Sequence, residues 1–258
     1  MTADRQQRFW DVYWSDRQAT LGARTMTQVL DRIKLEYLLA ILPASGLTLE
    51  VGAGSGRLSC LLAMAGYRTV CLDASREALR VARLNYEMIP SEGRFVAGDG
   101  AMLPIRDGAF DVVLSTGLLE HFADPSPIVR DMVRVLKPGG LFYSDIVPKK
   151  FSLFRSLDWV GATKRAVTGR RIEKMYERSF TRGEILELLE KQGLVEARVF
   201  PAGVVPPYIP VLSRCRRITD WEVRLVERTR AFWKRFDDTR LGDWLGFYYF
   251  AWAVKPRC

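Results

Sequence analysis

Leu49-Glu50-Val51-Gly52-Ala53-Gly54-Ser55-Gly56-Arg57-Leu58 is the stretch on which the fold turns. The apolar run Leu47 to Val51 reads as a buried strand, three glycines follow at alternate positions, and a helical pattern begins near Leu58. Glycine lets backbone turn tightly and approach a ligand with no side chain in the way. A helix N-terminus just beyond adds free N–H groups and a partial positive charge. Together these features make a seat for the polar tail of a nucleotide-like ligand. A dinucleotide fingerprint needs its glycines at the first, third and sixth positions. The sixth would be residue 57, where Arg57 stands.

Working outward, a helix from Leu58 to Ala65 stops at Gly66, and a second strand, Arg68 to Leu72, ends in Asp73 beside Ala74. An acid at the end of the second strand is placed to accept hydrogen bonds from ribose hydroxyls. Asp73 could instead cap the next helix, a role that Ser75 fills equally well. Strand three, Arg94 to Ala97, leads into Gly98-Asp99-Gly100-Ala101, where Asp99 also suits a simple turn. Leu103-Pro104 and the run Asp107 to Ser115 approach a fourth strand, which ends at Thr116-Gly117-Leu118-Leu119-Glu120-His121-Phe122. Asp124-Pro125 opens a helix. It closes at Arg134-Val135-Leu136-Lys137-Pro138-Gly139-Gly140, ahead of strand five, Leu141 to Ser144.

The G-x-G-x-G turn with Glu50 ahead of it resembles motif I of the class I S-adenosylmethionine (SAM)-dependent methyltransferases. The R-V-L-K-P-G-G ending resembles the small-molecule members that methylate ubiquinone and sterols. The resemblance covers about residues 46–147 and, more thinly, 181–200. It implies an α/β fold with a doubly wound, mostly parallel seven-stranded sheet and helices on both faces, Rossmann-like, and SAM as cofactor. Carried onto this chain, it places Glu50, Gly52, Ala53, Gly54 and Gly56 at the cofactor turn and Asp73 and Ala74 at the ribose. Asp99, Gly100 and Ala101 fall at the adenine, and Thr116 and Gly117 at the end of strand four. N-terminal helices in this family fold over the cofactor as a lid, which directs attention to Tyr13 and Trp14.

The chain divides into N-terminal helices (1–43), a cofactor-binding core (44–147), a basic insertion (148–180) and a C-terminal part (181–258) with a helical insertion at 201–246. Phe9, Trp10, Tyr13 and Trp14 share helical spacing in the first segment, and Thr27 reads as the N-cap of a helix running to about Leu42. Thr181-x-x-Glu184 is a capping box for a helix ending at Gly193, followed by strand six, Leu194 to Phe200. Pro201, Pro206, Pro207 and Pro210 bar Val199–Leu212 from regular structure. A long helix over Ser213–Phe236 and a last strand, Phe247–Val254, complete the chain. In the plain family core the last two strands form a close pair, so the intervening insertion adds a cap, a partner surface or a membrane-facing element.

At 258 residues with 48% apolar composition, the chain has room for one large domain with a real core. The start, MTADRQQRFWDVYW, is charged and lacks a continuous apolar segment, so no signal peptide is expected, and no run approaches a membrane span. A cytoplasmic location follows as the expectation. Cys60, Cys71, Cys215 and Cys258 lack metal-ligand spacing, so reduced thiols and no metal are expected. The net charge of +9 is concentrated: residues 149–182 carry ten Lys/Arg against Asp158, Glu173 and Glu177. Such a surface is either a solvated face or an attractor of anionic lipid, nucleic acid or an acidic substrate.

An alcohol, phenol or ammonium acceptor must lose a proton, and His121, the chain's one histidine, sits where strand four ends. It is the candidate general base, against the alternative that it only packs beside the cofactor. Glu120 is a weaker candidate, expected to pair with a basic residue. Tyr143, Asp145 and Tyr176 are unranked candidates for the acceptor pocket. The function expected is methyl transfer to an O or N nucleophile of a small or lipid-like metabolite, with membrane contact through the basic and Pro-rich insertions. Nucleic-acid methylation is disfavoured, since Thr116-Gly117-Leu118-Leu119 stands where amino-methylating nucleic-acid enzymes carry an Asn/Asp-Pro-Pro-aromatic tetrad. A non-catalytic SAM-binding partner subunit and a homo-oligomer stay open.

Overall fold

A computed structural model describes residues 3–22, 25–146, 148, 176–206 and 216–257. Seven strands form one sheet in the order β3-β2-β1-β4-β5-β7-β6. They are β1 (Leu47–Val51), β2 (Arg68–Asp73), β3 (Gly93–Ala97), β4 (Phe110–Thr116), β5 (Leu136–Ile146), β6 (Val195–Ala202) and β7 (Tyr248–Val254). β1 to β5 run parallel, and β7 runs antiparallel to both β5 and β6. The helices are α1 (Ala3–Ser15), α2 (Met26–Leu39), α3 (Arg57–Met64), α4 (Arg76–Tyr86), α5 (Ser126–Val135), α6 (Arg182–Lys191), α7 (Arg216–Trp233) and α8 (Arg240–Leu245). The expected doubly wound α/β architecture is present.

Strand alternation divides the core in two. Val113 and Phe142 face the layer containing Ile128 and Met132 of α5 and Ile185 and Leu189 of α6. Their neighbours Val112, Leu114 and Tyr143 face Leu38 of α2, Leu58 and Leu62 of α3, and Val223 and Val226 of α7. Because the sheet is covered on both sides, its central strands β1 and β4 are buried along almost their whole length, even at Thr48 and Glu50. The strand order reverses between β1 and β4. Ligands of open parallel sheets bind at that switch, beyond the carboxyl ends of the strands.

Several element boundaries differ from expectation for local reasons. Thr25, two residues before Thr27, caps α2, its hydroxyl accepting from Gln28 N–H. Leu136 stands opposite Phe110 and Leu141 opposite Val112, so the K-P-G-G turn loops out within β5 instead of preceding it. Pro201 belongs to β6. That strand lies at the sheet edge, where a residue without an N–H is tolerated. Beyond α7 a 3₁₀ turn, Lys234–Phe236, and the unexpected α8 follow. The capping box at Thr181 and Glu184 forms as read. Most of the basic insertion and the second part of the Pro-rich stretch (207–212), with Cys215 and Cys258, lie outside the described residues.

Candidate functional site

A cavity of about 570 Å³ opens at the switch point, against the ends of β1, β2, β3 and β4. Gly52, Ala53, Gly54, Asp73, Ala74, Asp99, Gly100, Ala101, Thr116, Gly117 and His121 all line it. Its size falls within the range of small-molecule and cofactor sites.

The glycine turn is shaped by backbone that other residues rarely adopt. Gly52, Gly54 and Gly56 have φ of 67°, 53° and 63°. A Cβ on Gly52 would stand 2.6 Å from Leu118, and one on Gly54 would stand 2.9 Å from Trp14. Gly56 lies off the cavity lining and has a packing role, with Ala82 and Cys71 where its Cβ would go. Asp73 braces the turn: one carboxylate oxygen accepts from Gly54 N–H at 2.8 Å and the other from Ser75 N–H at 2.8 Å. Burial pushes its carboxyl up, opposed by these N–H bonds. Ser75 itself caps α4, so helix capping and bracing of the turn fall to different residues. A carboxylate has about four lone-pair sites, so Asp73 retains acceptor capacity toward the cavity. Asp99, at the far end, accepts from Ala101 N–H at 2.9 Å and is exposed.

Glu50 also lies off the cavity. It is buried behind the turn, where Ser59 Oγ and Thr116 Oγ1 donate to its two carboxylate oxygens at 2.6 and 3.1 Å. Burial pushes its carboxyl up to about 7. Its action on the site is indirect: it joins the start of α3 to the end of β4.

α1 forms one wall of the cavity through Gln7, Trp10 and Trp14. The two tryptophans are four residues apart and share a helical face. Tyr13, the other candidate for lid contact, is turned outward beneath the Arg17 guanidinium. Arg80 holds the end of α1 by donating to the carbonyls of Trp14, Ser15 and Arg17, and Ser75 Oγ donates to Asp11.

Two cationic residues, Arg57 and Arg76, also line the cavity, and sequence reasoning missed both as site residues. Arg57 is held by Asp31 at 2.7 Å and by Ser55 Oγ at 2.9 Å. Its position directly after the glycine turn was the available signal.

His121 comes from a 3₁₀ turn, Leu119–His121, beyond β4. Its Nδ1 lies 3.1 Å from the carbonyl of Tyr176, and Trp10 packs edge-on at 5.1 Å. A carbonyl only accepts, so Nδ1 carries the proton and Nε2 is the basic nitrogen. Glu120 departs from expectation. It is buried with no ion-pair partner among the described residues, and its Oε2 has no hydrogen-bond partner there. Burial pushes its carboxyl up to about 8, reinforced by the charges of Asp145 and Glu177. The nearby cation, Lys34, is engaged by Asp145 at 2.5 Å, and Asp145 also accepts from Gly117 N–H at 3.2 Å. Tyr143 is fully buried against Phe250, and Tyr176 is exposed. Among the described residues no group of three or more His, Cys, Asp or Glu is arranged to hold a metal ion.

Residues 49–144, the span that builds this cavity, match the methyltransferase-domain family model. Over that span the chain is similar to a methyltransferase domain. A ubiquinone biosynthesis O-methyltransferase of Xanthomonas axonopodis is 34% identical over 156 residues, covering 57% of this chain and 60% of the relative. An uncharacterised methyltransferase of Mycobacterium leprae is 35% identical over 99 residues, or 38% of this chain and 36% of the relative. The chain thus spans between about a third and three fifths of the length of these curated relatives. A SAM-dependent methyltransferase structure from Thermotoga maritima superposes with a TM-score of 0.60 at 20% identity, covering 89% and 91% of the two chains. At that identity the likeness shows the fold. The matched span ends at Ser144, so α6 to α8 and the last two strands lie outside it.

Proposed function

We propose that the chain is a SAM-dependent methyltransferase acting on an O or N nucleophile of a small or lipid-like metabolite. One observation carries the reading: a single cavity has the glycine turn and Asp73 on one wall and His121 on another. The lining suits SAM chemically. Gly52 and Gly54 hold a backbone turn on the lining at which Leu118 and Trp14 leave no room for a side chain, Asp73 and Asp99 present carboxylates, and Arg57 and Arg76 present cations.

In this reading Asp73 accepts from the ribose hydroxyls and Asp99 from the adenine amino group. The backbone of Ala74, Gly100 and Ala101 frames the base, and the Gly52–Gly54 turn receives the amino-acid tail. The cofactor supplies an activated methyl group when bound, so the protein's task is orientation and proton removal. Positioning alone can contribute roughly 7–11 kcal/mol to such a displacement. Trp10 and Trp14 exclude water from the glycine side. His121 Nε2 takes the proton of the acceptor hydroxyl or ammonium, while the Tyr176 carbonyl stabilises the imidazolium that forms.

Calorimetric titration with S-adenosylhomocysteine beside NAD(H), followed by labelled-methyl transfer to hydroxylated aromatics, amines and isoprenoid-like lipids, tests the proposal. Micromolar or tighter binding of S-adenosylhomocysteine alone is expected. Binding of NAD(H) in its place would overturn it.

A further inference from the structure

The outer side of α7 carries a pattern that the methyltransferase reading leaves unused. Arg217, Trp221, Arg224, Arg228 and Phe232 recur at intervals of four, three, four and four, so they lie along one stripe of the helix. The inner side holds Val223 and Val226 in the core. Trp221 is 62% exposed and Phe232 53%, and the three arginines are exposed between them. The five residues of the stripe include no acid; of the acids on α7, Asp220 is half-buried at the stripe's edge, Glu222 is buried, and Glu227 pairs with Arg32 of α2 at 2.6 Å. At 18 residues the helix is about 27 Å long. Past the 3₁₀ turn that follows it, α8 leaves Leu241 and Trp244 exposed, and Thr239 Oγ1 donates to Phe236 O of that turn.

We infer that this face of α7 is a docking surface for an anionic lipid bilayer. Exposed large aromatics interleaved with guanidinium groups suit the headgroup boundary: the rings enter it and the cations meet phosphate. A second copy of this chain fits poorly, because a two-fold contact through the stripe would set one row of arginines against the other. A nucleic acid would also take arginine and aromatic groups. The stripe, however, exposes Trp221 and Phe232 among its arginines, and the following helix exposes Leu241 and Trp244. Large apolar groups exposed together with cations favour lipid. The surface is distinct from the cavity, so its test is independent of the proposed reaction.

The experiment is flotation of the purified chain with vesicles of phosphatidylcholine alone or mixed with phosphatidylglycerol, at low and high salt. Binding to the mixed vesicles is expected to exceed binding to neutral ones by at least about tenfold and to weaken in high salt. Trp221→Ser with Phe232→Ser, and separately Arg217→Glu with Arg228→Glu, should each reduce binding about tenfold or more. Both variants should keep the parent affinity for S-adenosylhomocysteine, or, if that ligand does not bind the parent, the parent's circular dichroism and melting temperature. Absence of binding, equal binding to both vesicle types, or binding unchanged in both variants overturns the inference. Tighter binding to a single-stranded RNA oligonucleotide than to anionic vesicles overturns it in favour of nucleic acid.

Discussion

Trp14 of α1 lies directly over Gly54, with its ring carbon Cζ2 2.9 Å from the point where a Cβ would stand. The first helix and the glycine turn are therefore fitted to each other, although 40 residues of chain separate them. Gly54→Val must displace Trp14 and also strain a backbone with φ of 53°. Affinity for S-adenosylhomocysteine should fall at least about a hundredfold by calorimetry. Gly108→Ala is the control: its φ is 60° but nothing lies within 4 Å, so only strain of about 1 kcal/mol is added.

Asp73 holds Gly54 N–H and Ser75 N–H with separate oxygens. Asp73→Ala removes both acceptors and any bond to a ribose, and should weaken S-adenosylhomocysteine binding by two orders of magnitude or so. Asp73→Asn keeps one carbonyl acceptor and should fall between the alanine variant and the parent. Equal affinity in all three proteins would remove Asp73 from the site.

His121→Ala should leave S-adenosylhomocysteine affinity within about twofold and lower turnover by roughly 10²–10⁴, the usual range for a positioned base. Once an acceptor is known, steady-state kinetics decide this. Unchanged turnover would restrict His121 to packing against Trp10.

Glu120 gives the chain a pH-dependent stability with a definite sign. Its carboxyl, ordinarily near 4.5, is pushed up to about 8 by burial. Below pH 4.5 the folded and unfolded chains both hold this proton. Between 4.5 and 8 the unfolded chain releases it while the folded chain keeps it, so this contribution to stability declines as pH rises. Above the folded value it declines no further. Glu120→Gln should therefore match the parent in acid and exceed it near pH 9 by several kcal/mol, about 5 at most. Denaturant melts across that pH range check the slope, and a parallel offset at every pH would refute the assignment.

Lys34 and Asp145 form a buried pair at 2.5 Å, and Lys34 also lies 3.8 Å from Asp31. Lys34→Met leaves Asp145 buried without its cation, while Asp31 keeps Arg57 at 2.7 Å, and should destabilise the fold by about 3–5 kcal/mol in denaturant melts. Adding Asp145→Asn should recover part of that loss. No recovery in the double variant would mean that Lys34 acts through packing.

What the sequence by itself determined is the local chemistry and the order of elements. The apolar runs of β1 and β4, the alternating glycines, Asp73 at the end of β2 and the capping box at Thr181 each depend on neighbours within a few residues, so their pattern is readable along the chain. The tertiary structure alone decided which residues meet. Trp10 and Trp14, rather than Tyr13, face the cavity because α1 is clamped by Arg80 and Ser75, more than 60 residues away. Glu50 and Gly56 belong to the glycine motif yet lie off the cavity, one tied to Ser59 and Thr116 and the other packed on Ala82. Glu120 was expected to find a basic partner, but Lys34 arrives from α2 already committed to Asp145. The exposed stripe on α7 has the helical periodicity that usually marks a core. Burial depends on what a helix packs against, and α7 turns Val223 and Val226 inward instead.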